Sequence, residues 1–188
     1  MAIVIQFTGA QSSGKTTLMR ALQECFVPRT TATVGETSRS LKTAGVIAEL
    51  DVKAKTYEQL LINNEYLLRY MTAVQSGASV ILAERSDICC VAYARLLNDA
   101  FVIESTWKMS DVIRKLPNKI FQFYVPELDT VESDGVRNTA SASAVKNEIK
   151  NVLSFGKFDC RFVEGASVHD RVSFVLSCVR EEVAPWLK

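Results

Sequence analysis

The scarce residues narrow the field first. The 188 residues include one histidine, four prolines and five cysteines. The lone His169 stands just before an apolar C-terminal helix, which excludes histidine-centred metal and phosphohistidine chemistry, so it is given no catalytic role. Cys25, Cys89, Cys90, Cys160 and Cys178 are odd in number and contain no CxxC pair. They read as free thiols in a reducing compartment rather than as disulfides or zinc ligands. No apolar run reaches the ~18 residues of a membrane span, and the short apolar N-terminus has no basic leader and ends in a glycine loop. It therefore reads as a buried strand rather than a signal peptide, and the expected location is cytoplasmic, with no membrane partner. The net charge of +1 provides no global field for nucleic acid. A local basic groove stays open.

The remaining sequence has ordinary globular usage, 48% hydrophobic and 23% charged. Without repeats, linkers or low-complexity tracts, residues 1–188 are expected to form a single domain. Ala2–Thr8 is a continuous apolar run, the pattern of a strand buried on both faces of a parallel sheet. Helices are expected over Lys15–Phe26, Thr56–Gln75, Asp87–Val102, Thr106–Leu116, Ser141–Ser154 and Val168–Trp186, with an ill-defined helical region around Leu41–Lys55. Further strands are expected over Thr30–Val34, Ser79–Ala83, Ile120–Val125 and Arg161–Val163. Leu60, Leu61, Leu67, Leu68, Met71 and Val74 mark the apolar side of the long helix. Alternating strands and helices, with Gly9-Ala10-Gln11-Ser12-Ser13-Gly14-Lys15-Thr16 matching GxxxxGK[ST] after the first strand, predict an α/β, three-layer P-loop NTPase fold. Its parallel sheet has five strands in order 2-3-1-4-5, and polar residues around 127–140 form a lid segment.

Gly9-Ala10-Gln11-Ser12-Ser13-Gly14-Lys15-Thr16 fits GxxxxGK[ST], between a buried strand and an amphipathic helix. Glycines allow backbone geometry that side chains would block. Successive main-chain N–H groups then form an anion-binding nest, and the helix N-terminus adds partial positive charge. Gly9 through Thr17 are assigned to ATP. Lys15 reaches the β- and γ-phosphates, and Thr16 offers a hydroxyl to Mg²⁺.

P-loop proteins divide into switches, mechanical ATPases and small kinases. The chain has no NKxD-type guanine reader and is too short for the extra subdomain of a ring ATPase. The third strand runs into Glu84-Arg85-Ser86-Asp87 at the sheet edge where ligands bind in open α/β folds. Glu84 would order the magnesium water shell, and Arg85 would hold an acceptor or stabilise transferring charge. Alternatively, the two form a structural ion pair. The second strand, expected beside the first, ends at Val34-Gly35-Glu36, so Glu36 would lie near the γ-phosphate. A hydroxyl acceptor needs a base as the P–O bond forms, whereas a phosphate acceptor does not. Glu36 therefore favours a hydroxyl acceptor, unless it is only a helix N-terminal carboxylate.

At these residues the chain resembles deoxynucleoside kinases. That resemblance implies that Glu36 is the base and that Arg85 holds both it and the acceptor hydroxyl. GAQSSGKTTL, GETSR, ESDGVRN at 132–138 and RFVEG at 161–165 resemble nicotinamide-riboside-kinase-type domains over nearly the whole chain. By this resemblance Asp134, Gly135 and Arg137 are lid residues, with Arg137 closing over the phosphates as an in-chain arginine finger. Glu84 departs from that pattern, in which an aspartate is usual. Phage kinases that phosphorylate 5-hydroxymethyluracil in DNA are similar in size and compactness, which would place the chain in a host cytoplasm.

The expected activity is γ-phosphate transfer from ATP to a nucleoside-type hydroxyl, either free or on hydroxymethylated DNA. The alternatives are a thymidylate-like nucleoside monophosphate kinase and a non-kinase ATPase or nucleotide-binding regulator. A homodimer is left open. Arg39, Tyr66, Arg69, Tyr70, Arg85, Asp87 and Asp134 join Glu36 as expected acceptor contacts. The tyrosines, with Tyr57, either stack a base or pack the core. Asp87 either touches the acceptor or joins Ser86 in capping a helix. Arg161 and Arg171 either touch lid or adenine or lie solvated. Lys146, Lys150 and Lys157 either track DNA or face solvent.

Overall fold

The computed structural model describes residues 1–48, 55–127 and 139–188. The strands are β1 (Ile3–Thr8), β2 (Thr31–Val34), β3 (Val80–Ala83), β4 (Lys119–Tyr124) and β5 (Cys160–Phe162). The helices are α1 (Lys15–Glu24), α2 (Thr37–Thr43), α3 (Thr56–Gln75), α4 (Asp87–Leu97), α5 (Ala100–Lys115), α6 (Thr139–Phe155) and α7 (Val168–Val183).

The five strands form one parallel sheet in the expected order β2-β3-β1-β4-β5. Every residue of β1 and β3 is buried, as their apolar sequences require of central strands. One expectation is corrected: β2 pairs with β3, not β1. Glu36 consequently stands next to the end of β3, where Glu84 N donates to Val34 O at 2.9 Å.

The period-2 alternation of β1 builds two different layers. Ile3, Ile5 and Phe7 pack with Leu18, Leu22, Val175 and Val179 of α1 and α7. Ala2 and Val4 face α3 and α5 through Tyr66, Tyr70, Met109 and Ile113. Truncating a side chain such as Phe7 to alanine would cost about 3–5 kcal/mol. Toward the C-terminal edge the second face becomes polar. Buried Gln122 donates to Thr8 Oγ1, which is 2.6 Å from Ser86 Oγ.

Helix α3 has the expected limits but a shifted inward face, with Leu67 and Val74 of the expected apolar side packed at its edge. Glu58, Gln59, Asn63, Tyr66, Tyr70 and Ala73 are buried, whereas Leu68 is 62% and Leu61 39% exposed. Amphipathicity misleads here because the helix covers a polar site. The expected single helix through Val102 breaks instead at Asn98, whose φ is 55°. Asp99 then caps α5, accepting from the N–H groups of Phe101 and Val102. α1 ends at Glu24 before Phe26, which bridges to Leu187, and α7 gives way to a 3₁₀ turn at Ala184–Trp186. α6 begins at Thr139, so its first residues come from the stretch expected to be lid.

Candidate active site

The loop after β1 starts at Gly9, where any Cβ would lie 2.5 Å from Val125 O and 3.0 Å from Ser13 Oγ. Only glycine fits beside the end of β4. Ser12 (φ 60°) and Gly14 (φ 83°) are left-handed on either side of Ser13. Such alternation turns successive N–H groups toward one side and makes an anion nest. Gly14 is also the N-cap of α1, with no side chain closing the helix end, which leaves the positive end of the helix for a phosphate.

Lys15 is buried, and its Nζ donates to Ala10 O at 2.5 Å and Ser13 Oγ at 2.9 Å. Its charge therefore folds back over the nest. Gln11 and Ser13 are buried in the loop, whereas Thr17 is exposed and would reach a nucleotide only through its main chain. Thr16 Oγ1 donates to Glu84 Oε1. This hydroxyl–carboxylate pair suits a hard cation that keeps most of its water and takes phosphate oxygens. Among the described residues no cluster of three His, Cys, Asp or Glu side chains could hold a metal unaided.

Glu36 occupies the N-cap position of α2, yet its carboxylate does not cap that helix. Oε1 accepts from Arg85 Nη2 at 2.7 Å and Ser38 Oγ at 3.3 Å, and Oε2 lies 3.5 Å from Arg39 Nε. Glu36 and Arg85 are both 10% exposed, so their attraction is screened less than that of a surface pair. Arg69 donates to Glu65 at 2.8 Å and to Ser40 Oγ at 3.3 Å, and Ser40 Oγ donates to Glu36 O at 3.0 Å. Arg69 thus braces α2 against α3.

Arg85, bonded to Glu36, lines an open cleft walled also by Thr37, Ser38, Gln59, Tyr66 and Tyr93. Tyr66 donates to Arg85 O at 3.1 Å, and burial pushes its phenol well above the ordinary value. Arg85 lies 5.2 Å above the Tyr93 ring, within cation–π range. Of the expected acceptor contacts among the described residues, Tyr66 and Arg85 line this cleft, whereas Glu36, Arg39, Arg69, Tyr70 and Asp87 do not. Tyr70 is fully buried in the core. Asp87 is fully buried beneath α5, accepting from Ser110 Oγ at 2.5 Å and from Arg114 at 2.7 and 3.0 Å. Ser86 caps α4 by accepting from Cys89 N. Asp134, Gly135 and Arg137 lie outside the described residues.

Gln59 was missed because the polar side of α3 looked like its solvent side, and Thr37 on α2 and Tyr93 on α4 belong to no motif that would single them out. Arg171 was also underestimated, since a solvated position was one reading of it. It is buried, and it donates to Gly165 O at 3.1 Å, Ser13 O at 3.2 Å and Pro126 O at 3.4 Å. A guanidinium with no carboxylate partner among the described residues thus stands behind the phosphate loop. Arg161 stays exposed, donating to Cys178 O. Lys146 pairs with Glu127 at 2.9 Å, and Lys150 and Lys157 are exposed. A wider groove between β4 and the C-terminal half of α7 is lined by Arg161 but by none of the residues expected to hold ATP, metal or acceptor. Among the described residues no helix is long and apolar enough to cross a membrane.

The fold is similar to that of NadR protein solved in complex with NR (TM-score 0.76, 16% identity, 100% of this chain and 52% of that one). It is also similar to NadR protein in complex with NAD and AMP-PNP (TM-score 0.71, 16% identity, 94% and 49%). The chain thus spans about half the length of the NadR chains. Thymidylate kinase from Candida albicans is similar over 96% of this chain and 92% of its own (TM-score 0.65, 16% identity). The sheet order is that of P-loop NTPase kinases. No curated protein matches the sequence. The family profile described as AAA domain matches residues 4–171, and the chain belongs to that AAA-domain family of P-loop proteins.

Proposed function

We propose that the chain is an ATP-dependent kinase transferring the γ-phosphate to a hydroxyl of a nucleoside-type acceptor. One observation carries this reading: two carboxylates at neighbouring strand ends have different partners. Glu84 bonds to the loop hydroxyl of Thr16, and Glu36 bonds to Arg85 at the mouth of the cleft. The first arrangement suits metal and phosphate, and the second suits an acceptor.

In this mechanism the loop amides and Lys15 hold the triphosphate. Thr16 and Glu84 would hold magnesium, which supplies charge neutralisation on the phosphate oxygens. Glu36 takes the acceptor proton as its oxygen bonds to the γ-phosphorus and the β–γ bridging oxygen leaves with ADP. Arg85 keeps Glu36 oriented and offsets charge developing in transfer. Arg137 and Asp134 complete the proposal from a lid spanning about 127–140, within a single domain over residues 1–188.

Transfer of labelled γ-phosphate to nucleosides, nucleoside monophosphates, nicotinamide riboside and DNA containing 5-hydroxymethyluracil tests the reading, with Lys15→Ala as the inactive control. Transfer to a hydroxyl acceptor is expected. Transfer only to monophosphates would replace this reading with a nucleotide kinase. ATP hydrolysis indifferent to all acceptors would replace it with an ATPase.

A further inference from the structure

Asp87 is the acid of the Glu84–Asp87 segment that takes no part in the proposed transfer, yet its side chain is fully buried. Both of its oxygens are engaged by α5. Oδ2 accepts from Ser110 Oγ at 2.5 Å and Arg114 Nε at 2.7 Å, and Oδ1 accepts from Arg114 Nη2 at 3.0 Å. Two N–H groups of one guanidinium on two carboxylate oxygens make a fork, which fixes angle as well as distance. Arg114 is held from another side too, with its guanidinium 4.0 Å from the centre of the Phe158 ring, within cation–π range. Phe158 is itself stacked on Trp107 of α5 at 6.2 Å. The guanidinium therefore has little room to turn.

A buried ion pair is a weak way to stabilise a fold, because an apolar pair of similar volume often does as well or better. What the fork adds is direction, and the direction bears on Arg85. Asp87 opens α4 two residues after Arg85. The same helix carries Tyr93, roughly 9 Å further along by the helical rise, and Tyr93 is the ring 5.2 Å from the Arg85 guanidinium. The start of α4 and its Tyr93 ring thus bracket Arg85, and any rotation of the helix would carry both. A third contact comes from Tyr66, whose hydroxyl donates to Arg85 O at 3.1 Å. Burial first, and the Asp87 charge next, push that phenol up, so it stays protonated and able to donate.

We propose that Asp87 is a positioning residue for phosphate transfer: locked to Ser110 and Arg114 of α5, it fixes the orientation of α4 and through it the reach of Arg85 to Glu36. This inference rests on the reading of Glu36 and Arg85 as the transfer pair and names the part that keeps them aligned.

Asp87→Asn keeps the volume and removes the charge. Its kcat is expected to fall about 10–100-fold with the KM for ATP nearly unchanged, the effect of a misplaced group rather than a lost one. The deciding measurement repeats the substitution in an Arg85→Ala background. An anchor that acts through Arg85 costs almost nothing more there, whereas a general loosening of the fold multiplies the two losses. Arg114→Lys keeps the charge but loses the fork, and it is expected to lower kcat severalfold. It carries the question if Asp87→Asn does not fold. Independently of turnover, the Arg85 Nε–H resonance of isotope-labelled protein, identified by its loss in Arg85→Lys, is expected to shift or broaden in Asp87→Asn and in Arg114→Lys. Full multiplication of the losses, wild-type kcat in Arg114→Lys, or an unmoved resonance would overturn the inference. Wild-type protein that transfers phosphate to no acceptor would sink the kinase reading, and the resonance would still decide whether Asp87 holds Arg85 in place.

Discussion

Arg85 reaches across from the end of β3 to Glu36 after β2, Nη2 to Oε1, at 2.7 Å. The contact sets which carboxylate oxygen is engaged and which way the other one faces. For a general base, orientation matters as much as proton affinity, because the proton must be met along its line of departure.

Glu36→Gln keeps the size and an acceptor oxygen but cannot take a proton. The expected result is a fall in kcat of about 10²–10⁴-fold with little change in the KM for ATP. Steady-state kinetics in both substrates checks this. A variant with wild-type kcat would show that Glu36 only orients Arg85.

Glu84→Gln should weaken the apparent affinity for magnesium roughly 10–100-fold, the range for partners that orient a metal site. Nucleotide binding in the absence of divalent ions should change little. Magnesium titrations of activity and of nucleotide affinity separate the two effects. An unchanged titration would mean that the Thr16–Glu84 bond is structural.

Arg171→Ala removes the donor shared by the phosphate loop, the end of β4 and the β5–α7 connection. The KM for ATP should rise roughly 10-fold, while kcat at saturating ATP changes less, because the loop loses shape and nearby positive charge. Arg171→Lys should restore the charge but not the three-carbonyl geometry, and so recover only part of the affinity. Equal ATP kinetics in wild-type protein and both variants would remove Arg171 from nucleotide binding.

Asp99 caps α5, and its carboxyl is held below its ordinary value, chiefly by the N–H of Val102, then by the Thr56 hydroxyl and the N–H of Phe101. Asp170 is held down in the same direction, chiefly by the Ser167 hydroxyl. A carboxyl depressed in the folded state stabilises the fold above its ordinary value of 3.8, and that contribution is lost as pH falls through the lower folded value. Asp99→Ala should therefore lower Tm by about 2–4 °C at pH 7. The gap to wild type should narrow in acid below that window. Thermal melts at pH 7 and pH 3 check the sign; a gap that widens in acid would refute it.

The fold was largely legible in the sequence because buried parallel strands and the GxxxxGKT loop are continuous signals. The Glu36–Arg85 and Thr16–Glu84 pairings could be anticipated because strand ends share one edge of such a sheet. The inward face of α3 was not legible. Periodicity assumes that a helix buries its oil, and this one buries Gln59 and Asn63, which bond to each other beside the cleft, and Glu58, which accepts from the N–H groups of Ala48 and Lys55. Arg171 was unreadable for a related reason: its partners are main-chain carbonyls, which leave no mark on residue type. The Asn98–Asp99 break did leave one, since asparagine tolerates the left-handed conformation and aspartate is a strong N-cap.

The space beside Gly9 is already taken by the end of a neighbouring strand. The residue at that position is therefore dictated by architecture before any nucleotide arrives. An alanine there would first disturb how two strands leave the sheet, and only through that the grip on phosphate. An assay counting only product would mistake such a construction fault for a broken catalyst.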